Sequence, residues 1–227
     1  MKRLLFLTIF VFIGCYVVIL PPTVESAWDD NGSVLLKDFK ESSHEMEISK
    51  GAPTSPTVQP FLNNRDWILV RNLEYSIGNS GVKISVPKGF VTDFASVPRI
   101  LWPILSPYEN YSRAAIVHDY LYWTQKCTRK QADNIFLMAM KESSVSKRKC
   151  YTVYQGVRKG GEPAWNSNKK EREAGLPKII PPHRLDFPDN VDWKEYRRIL
   201  FNDGVRDPLL DETPAYCAFG NSTDVPK

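Results

Sequence analysis

The segment Ala114 to Ser143, AAIVHDYLYWTQKCTRKQADNIFLMAMKES, sets His118 and Asp119 side by side in one apolar run. Asp133 follows fifteen residues after His118, inside a second apolar run. Ionisable groups in apolar surroundings cost free energy unless they are paired or used. One reading is a dyad in which His118 acts as general base toward water while the Asp133 carboxylate orients it. Adjacent helical residues point about 100° apart, so Asp119 can flank the same cavity without sharing the His118 partner. There it could hold a hard cation such as calcium, which takes carboxylate and carbonyl oxygens. The stretch GFVTDFASVP just upstream supplies Asp93 as a second ligand. Tyr122, four residues beyond His118, falls on the same helix face and would stack over it. A metal in that place would polarise a carbonyl or phosphoryl oxygen while His118 activates water.

Each of these residues also has an ordinary structural reading. His118 could be a core histidine bonded to Tyr122 or to a backbone carbonyl. Asp119 could pair with Arg113 or Lys126. Asp133 lies early in its helix, where the macrodipole favours an acid. Asp93 with Ser96 could make a side-chain turn ahead of Pro98. Both readings stand at this level, and the clustering of three acids and one histidine around an apolar helix pair favours a site.

The elements that must position these residues follow from local signals. WILVRNLEYSI and VKISVPKGFV are rich in β-branched and aromatic residues and are separated by GNSG, which predicts a β-hairpin or small antiparallel sheet. Ser112 is placed to cap a helix over RAAIVHDYLYWTQK. Thr128 and Gln131 form a T-x-x-Q capping box that opens the next helix. The turn between the two is so short that they must be antiparallel neighbours. Phe136 and Met140 continue the inner stripe from Asp133. Ser146 caps a third helix, KRKCYTVYQGVRK, ended by Gly160 and Gly161. The expected class is α+β: a hairpin or small sheet, an antiparallel helix pair, a third helix, then an irregular Pro-rich extension.

The flanks set the organisation. Residues 1–27 contain Leu4 to Leu20, seventeen residues without charge after a basic start, and read as a signal peptide or membrane anchor. VESA, Val24 to Ala27, offers a cleavage site, whereas FIGC at Cys15 only loosely fits a lipoprotein box. Residues 28–65 are a polar arm, 66–165 the core domain and 166–227 the extension, whose Trp193, Tyr196 and Phe201 could wrap back over the helices. The chain is therefore expected to be exported, periplasmic or secreted, or else anchored to the membrane by its N-terminal apolar segment. A net charge of +4 from 30 basic and 26 acidic residues is too weak a bias to argue nucleic-acid binding. Cys127, Cys150 and Cys217 remain beyond the N-terminal segment, an odd number, and the helix ends allow a Cys127–Cys150 bridge. No cysteine spacing suits zinc.

The stretch GFVTDFASVPRILWPIL…YSRAAIVHDYLY…ADNIFLMAM resembles a widespread uncharacterised domain family of bacteria and their phages, sharing the GFxTDFASVPR loop and the HDYLY helix. More distantly, HDYLYWTQ…ADNIFLMAM is similar to secreted phospholipases A₂, above all their short microbial forms. That resemblance implies an exported, calcium-dependent phospholipid ester hydrolase. His118 would activate water, Asp133 orient it, Asp119 and Asp93 bind calcium, and Tyr122 match the helix tyrosine; the partner would be a phospholipid or membrane surface. The glycine-rich calcium loop and the Cys-Cys pair of the animal enzymes are missing here. Ile100 to Leu105 could contact lipid, form core or meet another protein. Other readings are a metal-dependent phosphohydrolase, a peptidoglycan hydrolase, or a non-enzymatic structural or interaction module of phage-related type.

Overall fold

The structure, a computed structural model, describes residues 51–94, 111–188, 190–208 and 212–227. All of them belong to one unit, Glu47–Lys227. The apolar run Leu4 to Leu20, most of the polar arm, and the Ile100 to Leu105 stretch lie outside the described residues.

Among the described residues five strands come first: β1 (Val58–Pro60), β2 (Trp67–Leu69), β3 (Leu73–Ser76), β4 (Lys83–Val86) and β5 (Val91–Thr92). The hairpin is β3 with β4, antiparallel, with Leu73 opposite Val86 and Tyr75 opposite Ile84. Along β4 the side chains alternate, Lys83 and Ser85 outward and Ile84 and Val86 buried, as a sheet with one solvated face requires. The first apolar run does not form a single strand. It breaks at Val70–Asn72, and β2 instead lies between β1 and β5 in a second antiparallel sheet. Strand pairing thus reaches back to Val58, within the segment whose composition reads as a polar arm, and Phe61 beside it is buried.

Six α-helices follow among the described residues: α1 (Ser112–Thr124), α2 (Arg129–Glu142), α3 (Lys147–Gly160), α4 (Glu162–Glu173), α5 (Trp193–Asn202) and α6 (Tyr216–Phe219). The architecture is α+β, as the patterning predicts. Ser112 is not a cap: it is the first residue of α1, and Tyr111 precedes it with no side-chain capping bond. The Thr128–Gln131 capping box forms in full, and the Ser146 hydroxyl accepts from the Lys149 amide. α1 and α2 pack together as antiparallel neighbours, α3 packs on α2, and α4 packs on α1. Because α1 is also covered by β4 and β5, every residue from Ala114 to Thr124 is buried. A helix covered on all sides loses its amphipathic stripe.

The Pro-rich extension is less irregular than its composition suggests. Its residues Ile180, Phe187, Val191, Trp193, Tyr196 and Leu200 form a second core with Ile68 and Val91 of the three-stranded sheet and with Phe61 just after β1. Phe61 stacks on Phe187 with ring centroids 4.6 Å apart. Trp193 and Tyr196 therefore cover strands, while other parts of the extension pack on the helix pair, α6 against α2 and Arg197 over Trp123. The extension is also joined to the helices through a Cys127–Cys217 disulfide. The Cys127–Cys150 bridge allowed by the sequence does not form; Cys150 is a buried thiol on the inner face of α3. Among the described residues no helix is long and apolar enough to cross a membrane.

Candidate functional site

Asp133, in the second turn of α2, is fully buried and accepts four hydrogen bonds. His118 Nε2 lies 2.9 Å from Oδ1, and the Tyr122 hydroxyl donates to the same oxygen at 2.7 Å. Arg158 Nη1 donates to Oδ2 at 2.7 Å and Arg129 Nη1 at 3.4 Å. Burial pushes the Asp133 pKa up, but the bonds and charge of His118, with the bonds of Tyr122 and Arg158, outweigh it and hold the carboxyl below its ordinary value. The carboxylate is therefore ionised at neutral pH. An ionised carboxylate only accepts, so the proton of a neutral His118 ring belongs on Nε2 and the lone pair on Nδ1.

That Nδ1 is buried and has no hydrogen-bond partner among the described residues. The imidazole itself is 1% exposed. It lies nearly parallel to the Phe136 ring, centroids 4.5 Å apart, with the Tyr122 ring 4.1 Å away on a tilt. The short α1–α2 turn permits this because Asp133 is carried into register with His118 by the capping box that starts α2 at Arg129. Gly161 contributes by absence: a Cβ there would come 2.4 Å from the Tyr122 hydroxyl. Burial, and then the neighbouring Asp133 charge, raise the Tyr122 pKa, so the phenol stays a donor.

Asp119 faces elsewhere. It is 8% exposed, and Oδ2 accepts from the Thr92 hydroxyl at 2.5 Å. Asp119, Asp93, Tyr122 and Thr92 line a cavity of about 420 Å³ together with Asp66, Glu171, Lys178 and Arg197. His118 and Asp133 are not part of its wall, and Tyr122 is the link, lining the cavity while bonding Asp133. So the structure joins His118, Asp133 and Tyr122 as the sequence predicts, and brings Asp93 and Asp119 to one cavity. Among the described residues no group of three or more His, Cys, Asp or Glu is placed to hold an ion.

Several cavity residues were illegible in the sequence. Lys178 is held by a short pairing with the edge of β5: the Val91 amide donates to its carbonyl at 2.9 Å, and its own amide donates to Asp207. Gly89 makes that approach feasible, with φ +87° and a carbonyl that accepts from Ile180; a Cβ would collide with the Ile180 oxygen. The Lys178 ammonium sits 5.4 Å from the Trp123 ring centroid. Arg197 comes from α5, donates to Pro177 and Glu171, and lies over Trp123 and Trp193. Asp66 has its pKa raised, by burial first and also by the nearby Asp93 charge, against the lowering effect of a bond from Asn63. Arg129 could have been found from its i,i+4 spacing to Asp133. Arg158, twenty-five residues beyond Asp133 in sequence, offers no local signal.

Residues 67–157 match the model of a family described as "Protein of unknown function (DUF1353)". The matched span holds Asp93, His118, Asp119, Tyr122 and Asp133. The chain is also similar to "Uncharacterized protein y4jT" of Sinorhizobium fredii (strain NBRC 101917 / NGR234), 32% identical over 93 residues. That alignment covers 40% of this chain and 27% of the relative, so the chain spans well under two thirds of it. No solved structure matches the chain. The likeness is thus to an uncharacterised family, and neither match carries an activity in its description.

Proposed function

We propose that the protein is a hydrolase of phospholipid esters in which His118 is the general base. The observation that supports this reading is the state of one ring. Asp133 fixes the proton on Nε2 and leaves the Nδ1 lone pair without a partner among the described residues. In the proposed step Nδ1 takes a proton from water as the water oxygen attacks the ester carbonyl. Asp133 stabilises the imidazolium, which then returns the proton to the departing alkoxide oxygen. Asp133 is thereby a positioning residue, and Arg158 and Arg129 keep it ionised. Calcium enters the proposal through Asp93 and Asp119, which share the cavity wall and would hold it there. Two carboxylates with few added ligands make a weak site for a hard cation, with a dissociation constant of about 10⁻⁴–10⁻³ M. Export and the membrane partner belong to the same proposal.

A second reading has its own observation. Four donors on one buried carboxylate also describe a structural network that locks α1, α2 and α3 together, with His118 as one of its members. The experiment that separates the two is fatty-acid release from mixed phospholipid vesicles, with calcium and with chelator, by the wild type and by His118→Asn. The hydrolase reading expects release that falls by about 10²-fold or more in the variant, while the variant melts as a folded protein. No release by a folded, calcium-indifferent wild type would sink it and leave the structural network.

A further inference from the structure

The charge of this chain is distributed unevenly. Residues 125–161, which span α2 and α3, hold nine of the 30 basic residues but only two of the 26 acidic ones, leaving 21 basic and 24 acidic for the rest. Both acids of this span are turned inward. Asp133 is fully buried under four donors, and Glu142 accepts from the Tyr75 hydroxyl and the Gly78 amide. The outer surface of α3 therefore shows cationic side chains without interleaved carboxylates, with Lys147, Arg148 and Lys159 exposed, while α2, buried from Ala132 to Met140, adds Lys130 at its start. Solvated helix faces ordinarily alternate signs, because i,i+4 pairs of opposite charge stabilise them and like charges repel. Here α3 has no acidic residue at all.

One large side chain interrupts the cationic face. Tyr151 is 67% exposed, on a helix whose opposite face buries Cys150, Val153 and Val157. Arg148, Tyr151, Gln155 and Lys159 recur at three- and four-residue spacing, which places them along one line of α3. At its far end the same helix supplies Val157 and Gly160 to the wall of the cavity.

We propose that the outer face of α3 is a docking surface for an anionic phospholipid membrane. The chemistry is charge complementarity: basic side chains close to an acidic leaflet each contribute to binding, within about a Debye length. A tyrosine with its ring exposed among them suits a headgroup layer, where an apolar body and a polar tip are both satisfied. Nucleic acid offers phosphates as well, but the exposed aromatic and the uncharged Leu4–Leu20 run in the same chain favour lipid. Docking by this face rests on the hydrolase reading only for its consequence, delivery of lipid to the cavity at the end of α3; the binding itself is independent of any activity.

The test uses the full chain with phosphatidylcholine vesicles, prepared with and without phosphatidylglycerol and separated by flotation, beside the double variant Lys147→Glu/Arg148→Glu. The Leu4–Leu20 run is common to both proteins and to both lipid mixtures, so the difference between mixtures isolates the charged face. Each basic residue near an anionic leaflet is worth roughly fivefold. The wild type should prefer phosphatidylglycerol vesicles at low salt, lose the preference at high salt, and lose it by about 25-fold in the double variant. Tyr151→Ala should weaken binding to both mixtures and keep the preference. Equal retention on the two mixtures, or a preference that survives the charge reversal in a variant with unchanged melting, overturns the proposal. Displacement of the protein from anionic vesicles by double-stranded DNA at matched phosphate concentration overturns it in favour of a nucleic-acid surface. Loss of hydrolysis with the lipid preference intact would count against the hydrolase reading alone.

Discussion

Two carboxylate environments lie on either side of the Tyr122 ring, and they are opposites. Behind it, a single buried acid, Asp133, is surrounded by His118, Tyr122, Arg129 and Arg158, and its pKa falls. In front of it, Asp66, Asp93 and Asp119 share a cavity with Glu171, Lys178 and Arg197, and the Asp66 pKa rises. Burial acts upward in both places. What differs is the supply of donors: four on one carboxylate against a bond from Asn63 and a neighbouring like charge on the other. A charge fixed from every side suits the task of orienting a base. A cavity wall that carries both acids and the cations Lys178 and Arg197 suits a ligand that brings its own charge.

The largest effect should come from removing the fixed charge. Asp133→Ala leaves two guanidiniums, an imidazole and a phenol without their common acceptor, and loss of one partner of a buried charge pair costs about 3–5 kcal/mol. Urea denaturation should show a midpoint far below the wild type. A loss under about 1 kcal/mol would mean that the network is not the tie between α1, α2 and α3 that its geometry implies.

The smaller effect has the opposite sign. Asp66 has a raised pKa, so its protonated form is favoured by folding; that contribution is present below the unfolded carboxyl value of about 3.9 and lost as pH rises through the folded value. Asp133 is the reverse, contributing above the unfolded value and losing it as pH falls through its own lower one. At neutral pH, Asp66→Asn should therefore stabilise the protein slightly, by less than about 1 kcal/mol because the group is partly solvated. The gain should shrink as the buffer is made acidic. Thermal melting of both proteins across pH checks this, and a destabilised Asp66→Asn at pH 7 would contradict the contrast between the two environments.

What the sequence revealed divides along the same line. The His118–Asp133–Tyr122 set was legible because helix periodicity, a four-residue spacing and one capping box place all three without reference to the rest of the fold. The hairpin β3–β4 was legible for a similar reason, since its two strands are adjacent in the chain. The cavity wall was not. Lys178 reaches it by pairing beside β5, and Arg197 by the docking of α5 on a sheet whose middle strand, β2, had looked like part of the hairpin. Cys217 lies ninety residues from Cys127, in a segment whose proline content conceals its packing. Long-range partners of this kind depend on tertiary contacts that no local pattern encodes, and Arg158 is the case nearest the site.

The central claim, that Asp133 holds the proton on Nε2 and leaves Nδ1 as the base, can be read directly by NMR. The chain has three histidines, His44, His118 and His183, so the ring nitrogens of His118 can be assigned by comparison with His118→Asn. In the neutral form of the ring the account predicts the proton at Nε2, with Nδ1 showing the shift of an unprotonated nitrogen. A ring protonated at Nδ1 alone would contradict it, and with it the role given to the His118–Asp133 pair.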